Sequence, residues 1–343
     1  MIKLEIIKYN RKNIFDIPDV LVEFFDDHKF ILFDIETTGL NPRYDKVILI
    51  GILYVENNDI FIEQFFCHNS KNEKKLLKTF KDRFNDFDFY ITYNGGNFDI
   101  PFLNRRFLKN DIDYKIDPYL NLDLCRIVRK NQKKLGLNNC KLKTVEKFLN
   151  IYRKDTISGA KSVQLYKDYE LTNNSKLKEK ILLHNFEDIL HLLPTLNILN
   201  YIDKDEIVTN IPKEFKVDNE HRFRIIDHKI DNDFLSVRGK LFGELKQDYV
   251  FYNQSYSYKL MKKNNEFSFK IPLLNINLYK NKSYTYIDLD GLDFVKTNLS
   301  EMNQQERNKY LIKAGKHINE TNIYNFIKSF IYHILGLILN KNV

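Results

Sequence analysis

The order of patterned segments predicts an α/β fold, followed by a smaller β-rich region and C-terminal helices. Three observations carry the prediction. Apolar runs of strand length recur at 30–34, 47–55, 60–66 and 87–93. A helical period begins at residue 73, so three strands, a helix, a strand and further helices follow in an α/β order. From residue 221 the pattern turns to strand-favouring, aromatic segments separated by polar turns.

Each element has a local reason. Residues 30–34 are apolar and open the first strand. Residues 47–55 and 60–66 form the next two, and Glu56-Asn57-Asn58-Asp59 between them is a hairpin-type turn. In 73–84, Leu76, Leu77, Phe80 and Phe84 recur at helical spacing. Residues 87–93 return to strand, and Asn94-Gly95-Gly96-Asn97 is a loop. Residues 101–108 read as a helix with Pro101 in the first turn, where proline is tolerated. Short helices are expected at 122–130 and 142–149 and a longer one at 177–193, which Pro194 should kink or end. The polar, weakly patterned stretch 201–215 marks a boundary, giving domains 1–205 and 206–343. In the second, 234–238 and 283–287 favour strand, and Lys262-Lys263-Asn264-Asn265 is a turn between two more strands. Residues 302–340 read as helical.

Composition bounds the function. With 343 residues, 43% hydrophobic and 29% charged, the chain should be folded and soluble, with room for two domains. The net charge of +8 is a modest basic excess that fits a polyanionic partner. Twelve Lys or Arg lie between Cys125 and Asp168, opposed by Glu146, Asp155 and Asp168, so this segment accounts for the whole excess. It reads as a surface that tracks a phosphate backbone, the alternative being solvated helix faces. Cys67, Cys125 and Cys140 are odd in number and lack metal-type spacing, which indicates free thiols in a reducing, cytoplasmic setting. Met1-Ile2-Lys3 opens no apolar signal segment. The apolar tail 323–339 carries Asn325, Lys328 and His333 and is short for a span, so it reads as a packed helix with no membrane role.

The chemistry is announced by Phe33-Asp34-Ile35-Glu36-Thr37-Thr38-Gly39-Leu40. Residues i and i+2 of a strand share a face, so Asp34 and Glu36 project side by side from an apolar strand. Two adjacent carboxylates repel and lose hydration unless a cation sits between them, and a hard divalent ion takes oxygen ligands. A solvated strand end is the alternative. Asp99 stands where the glycine-containing loop enters a helix, a position that a simple N-cap would also explain. His184 and Asp188 are four apart and share a helix face, which ordinary surface polarity would also produce.

Together these residues resemble the DEDD 3′–5′ exonuclease superfamily, of RNase H-like fold. Asp34 and Glu36 match its first motif, Asn94 to Asp99 its second and Asp188 its third. The chain is closer still to the YprB-type RNase H-like family. Its features are Asp34 to Leu40, Asn94-Gly95 with Phe98 to Leu103, Leu122-Asp123-Leu124, Leu142 to Glu146, and His184-Asn185-x-x-Asp188. The resemblance covers 28–200. The wider superfamily places Tyr four or His five residues before the last Asp. Here His184 stands four before it, as in the YprB-type pattern.

The resemblance implies a mixed sheet flanked by helices and a nuclease of DNA or RNA that releases nucleoside 5′-monophosphates from a 3′ end. It implies two Mg²⁺ or Mn²⁺ ions held by Asp34, Glu36, Asp99 and Asp188, with His184 accepting a proton from, or orienting, the attacking water. Thr37, Thr38, Leu40, Asn94 and Phe98 fall where the superfamily grips the terminal nucleotide, and Lys133, Lys134 and Lys141 would contact the backbone of a single-stranded or 3′-ended substrate. A protein partner such as a helicase is an open reading. The competing function is a nucleic-acid-binding module, or a subunit of a repair or processing complex, with little turnover. Asp123 reads as a helix cap, and Tyr252, Tyr256 and Tyr258 as sheet packing rather than base-stacking platforms.

Overall fold

The computed structural model describes residues 4–25, 28–154, 157–231, 233–278, 282–295, 308–336 and 338. It divides into two units, Met1–Asp203 with Asn210–Pro212 and Lys204–Thr209 with Lys213–Val343.

The first unit contains strands β1 (Leu4–Lys12), β2 (Phe30–Thr37), β3 (Val47–Glu56), β4 (Asp59–Cys67), β5 (Phe89–Thr92) and β6 (Asn121–Asp123). Its helices are α1 (Asp19–Phe25), α2 (Glu73–Phe84), α3 (Asp99–Lys109), α4 (Leu124–Asn131), α5 (Leu142–Phe148), α6 (Gly159–Thr172) and α7 (Ser175–Thr195). The strands form a sheet in the order β1-β4-β3-β2-β5-β6. The β1–β4, β4–β3 and β3–β2 pairs are antiparallel, and β2–β5 and β5–β6 are parallel. The β3–β4 turn places Asn57 and Asn58 at φ of 49° and 61°, the left-handed pair that a two-residue hairpin requires.

Alternation along β2 divides the core. Ile31, Phe33 and Ile35 face α2 and α3 and pack with Phe80, Phe84, Phe102 and Phe107. On the opposite face, Leu49 and Phe66 pack with Leu165, Tyr166 and Tyr169 of α6 and Ile181 of α7. Asp34 and Glu36 belong to this second face, under α7. Each fully buried Phe or Leu is worth roughly 1.5–3 kcal/mol, so these two layers fix β2 firmly.

Several boundaries depart from the sequence expectation. Residues 121–123 are strand, because β5 offers them a parallel partner, and the helix starts at Leu124. Pro194 lies inside the last turn of α7, after which the chain tightens into a 3₁₀ segment, Leu196–Tyr201. β1, α1 and α6 were not expected.

The second unit contains α8 (Lys204–Val208), β7 (Glu214–Lys216), β8 (Arg222–Ile230), β9 (Phe234–Phe242), β10 (Tyr249–Tyr252), β11 (Ser257–Met261), β12 (Glu266–Pro272), β13 (Leu274–Leu278), β14 (Lys282–Asp288), β15 (Lys309–Ala314), β16 (His317–Ile318) and α9 (Glu320–Phe330). Two antiparallel sheets run in the orders β10-β11-β12-β9-β8-β7 and β13-β14-β15-β16. Phe330 of α9 stacks on Phe269 of β12 with ring centroids 4.2 Å apart. The helix expected over 302–340 is confined to α9 and a π-type turn, Ile331–Leu335. Residues 309–314 instead pair with β14, and 302–307, 337, 339 and 340 lie outside the described residues. Among the described residues no helix is long and apolar enough to cross a membrane.

Candidate active site

Strand β2 delivers Asp34 and Glu36 to the face covered by α7. Asp34 lies opposite Gly51 of β3. That glycine is a steric requirement. A Cβ there would fall 1.9 Å from Ile189 Cδ1 and 2.2 Å from Asn185 Oδ1. Without it, α7 approaches closely enough for Asn185 Nδ2 to donate to Asp34 Oδ2 at 3.1 Å. Asn185 is fixed in turn, because its Oδ1 accepts from Gln64 Nε2 at 2.9 Å, and Gln64 also donates to the Leu182 carbonyl at 2.9 Å. Both amides are fully buried, so the strand and the helix set the direction of Asp34 together.

Asp99 is the first residue of α3 and not its cap. The capping position is Phe98, which makes no side-chain cap. The Asp99 carboxylate instead turns to β2, where Oδ1 accepts from the Ile35 N–H at 3.2 Å, between the two acids of that strand. The preceding loop permits this. Asn94 adopts φ of 67°, and Gly95 sits so close to Thr92 that a Cβ would lie 2.5 Å from its Oγ1. Asp123 caps α4 by accepting from the Cys125 N–H at 3.1 Å. It also accepts from the N–H groups of Asn94 and Gly96, at 2.8 and 3.1 Å, and so ties the loop down.

Helix α7 supplies His184 and Asp188 one turn apart. His184 Nε2 lies 3.7 Å from Glu36 Oε1 and 3.6 Å from Asp188 Oδ2. Arg153, after α5, donates from Nη1 to Asp188 Oδ1 and from Nε to Glu146 Oε2 at 2.7 Å. Arg153 belongs to the basic segment between Cys125 and Asp168 that the sequence predicts to be a surface, whereas its side chain is 6% exposed.

Burial dominates the electrostatics. It pushes the Asp34 carboxyl well above the usual carboxylate range; repulsion from Asp99, Asp188 and Glu36 adds to this, and the Asn185 hydrogen bond opposes it. Burial raises Glu36 to about 7, opposed by His184 and reinforced by Asp188. Asp99 is likewise raised to about 7 by burial, against the pull of its own and the Ile35 backbone N–H. Burial and mutual repulsion together disfavour the charged forms of these acids, even with Arg153 paired to Asp188. One ligand atom each from Glu36, His184 and Asp188 lies within 4.8 Å of the others. Asp34 and Asp99 stand outside that trio but within its electrostatic reach. An oxygen-rich, buried donor set of this kind fits a hard divalent cation.

Three of the four acids open onto a pocket of about 760 Å³, and Asp99 is not in its lining. Asp34, Glu36, His184 and Asp188 line it, as do Thr37, Leu40, Phe98 and Lys141 among the residues expected to hold substrate, together with Lys143 and Arg153. Thr38, Asn94, Lys133 and Lys134 do not. Thr38 Oγ1 accepts from the Lys46 N–H at 3.0 Å and closes its own loop. The Asn94 side chain accepts from Asn97 at 3.0 Å, and Lys133 and Lys134 are exposed outside the pocket lining. Sequence reasoning missed Arg153, Gly51 and Gln64 as parts of the site, and Asn185 was noted only as a motif neighbour. No local pattern marks their roles.

Residues 31–200 match a family model described as RNase_H superfamily. A DNA polymerase III PolC-type of Ureaplasma parvum serovar 3 is 35% identical over 107 residues, covering 24% of this chain and 7% of that protein. A DNA polymerase III PolC-type of Mycoplasma genitalium is 34% identical over 119 residues, covering 28% and 8%. The structure of the family B DNA polymerase from the hyperthermophilic archaeon Pyrobaculum calidifontis overlaps 61% of this chain and 34% of that one, at 16% identity and a TM-score of 0.38. The matched segments are thus 7% and 8% of the two PolC-type relatives. The domain built around the mixed sheet is RNase H-like, and its sequence is related to segments of DNA polymerases.

Proposed function

We propose that the chain is a metal-dependent 3′–5′ exonuclease that cleaves the phosphodiester bonds of nucleic acid and releases nucleoside 5′-monophosphates. One observation carries this reading: buried, mutually repelling carboxylates lie beside a histidine at a pocket of nucleotide size. The motif series from Asp34 to Asp188 supports a YprB-type member of the DEDD superfamily, with 1–205 as the catalytic domain and 206–343 as an accessory region. The relatives are DNA polymerases, which favours DNA as the first substrate to test.

Asp34, Glu36, Asp99 and Asp188 would hold two Mg²⁺ or Mn²⁺ ions. When bound, such ions activate water and stabilise the leaving 3′ oxygen. The chain's own residues do the rest. Asn185 keeps Asp34 aimed at the cluster. Phe98 and Leu40 offer apolar contact to the terminal nucleoside, and Lys141 offers charge to its phosphate. His184 would take the proton of the attacking water as its oxygen bonds to phosphorus and the P–O3′ bond breaks, and the departing O3′ takes a proton from solvent to leave a shortened strand with a 3′-OH.

The test is digestion of 3′-labelled and 5′-labelled oligonucleotides, single- and double-stranded, DNA and RNA, with Mg²⁺ or Mn²⁺ and with EDTA. Labelled mononucleotide should leave the 3′ end first, and both EDTA and Asp34→Ala should abolish its release. Equal degradation by Asp34→Ala would refute the site assignment.

A further inference from the structure

Arg153 reaches Asp188 with its charge already anchored. Glu146, whose side chain is 2% exposed, grips the guanidinium through Nε and Nη2. The remaining Nη1 donates to Asp188 Oδ1, while Asp188 Oδ2 is the oxygen that faces His184. One oxygen of Asp188 is therefore taken by an internal cation, and the other points into the Glu36–His184 trio. A lysine does not reproduce this arrangement, because a single ammonium nitrogen lacks the planar fork that gives Glu146 two bonds from separate nitrogens while a third nitrogen reaches Asp188.

We propose that Arg153 is a positioning residue: a built-in counter-cation, anchored by Glu146, that fixes the direction of Asp188 and limits the affinity of the acidic cluster for divalent ions. This inference rests on the metal-dependent reading above. It predicts two effects of opposite sign. Without the guanidinium, both oxygens of Asp188 are open to a metal and the cluster is one charge more negative, so metal binds more tightly. Asp188 also loses its fixed direction, so turnover falls. Loss of a merely structural contact would weaken metal binding and turnover together.

The experiment measures Mn²⁺ binding to the full-length protein by titration calorimetry or electron paramagnetic resonance, in parallel with kcat and KM on a labelled oligonucleotide at saturating Mn²⁺. Arg153→Met should bind Mn²⁺ about tenfold more tightly, lower kcat by about tenfold or more, and leave KM within about twofold. Arg153→Lys keeps the charge but loses the fork, so it should keep near-wild-type Mn²⁺ affinity and still lose kcat. If circular dichroism shows that Arg153→Met does not fold, Glu146→Gln/Arg153→Met, which leaves no orphaned carboxylate at 146 and no change in net charge, is read for the sign alone: Mn²⁺ affinity should still rise because Asp188 Oδ1 is freed, and kcat should still fall. Wild-type binding that disappears in Asp34→Asn identifies the cluster as the metal site. Absence of wild-type binding overturns that reading and this inference with it. Wild-type binding with equal or weaker Mn²⁺ affinity in folded Arg153→Met, or with unchanged kcat, overturns this inference alone.

Discussion

Glu36→Gln should make the metal-free protein more stable at pH 8 while abolishing its activity. In the folded chain Glu36 titrates near 7 because burial disfavours its charge, whereas its ordinary value is 4.5. A carboxyl raised in the folded state contributes stability that is fully present below its unfolded value and is lost as pH rises through its folded value. From pH 5 to pH 8 in EDTA, wild type should therefore lose stability through this group. A gap from 4.5 to about 7 corresponds to about 3 kcal/mol at 1.36 kcal/mol per unit. Gln resembles the protonated acid in shape and cannot ionise, so it escapes the loss. The two proteins should be nearly equal at pH 4, below the ordinary value of 4.5. At pH 8 the variant should be ahead by up to about 3 kcal/mol, or roughly 6–12 °C in the melting of a unit this size. Comparison with the variant cancels the titrating groups that do not interact with Glu36, and relief of its repulsion on Asp34 acts in the same direction. The assay is thermal melting in EDTA at half-unit steps of pH, repeated with Mn²⁺, where the order should reverse because wild type alone keeps the full ligand set. A variant that melts at or below wild type at pH 8 in EDTA would refute the argument that Glu36 is a buried charge awaiting a cation.

Other outcomes follow from single contacts. His184→Ala should lower kcat by about 10²–10⁴ with oligonucleotide binding near normal, as read by single-turnover kinetics and fluorescence anisotropy; lost binding with unchanged turnover would reassign it. Gly51→Ala should destabilise the first unit by about 1–3 kcal/mol in urea melts, because the new methyl meets Ile189 and Asn185. Lys141→Glu should weaken binding and flatten its salt dependence by about one unit of slope, whereas reversal at Lys133 or Lys134, outside the pocket lining, should do little.

Much of the first unit was legible because its signals are short-range. The β3–β4 hairpin is written in Asn57 and Asn58, α2 in the spacing of Leu76, Leu77, Phe80 and Phe84, and the shared face of His184 and Asp188 in their separation. What escaped depends on distant partners. β1 is an edge strand whose Lys8, Arg11 and Lys12 mask its pairing with β4, and α6 shows no clear apolar stripe until Leu165, Tyr166 and Tyr169 meet the sheet. The strand at 309–314 was read as helix because its pairing with β14 is not encoded locally. Asp99 looked like a cap because helix entry is a local signal, whereas its bond to the Ile35 amide spans 64 positions.

The sequence by itself determined which acids stand on which strand or helix face, since spacings of two and four residues fix direction relative to the backbone. It left undetermined how far those acids are desolvated and which cation they already hold. Folding decided both. Gly51 lets α7 close over Asp34, and Glu146 carries Arg153 to Asp188 across 35 positions of chain. Dehydration and charge pairing depend on what is packed around a group, and in this chain those neighbours come from remote segments.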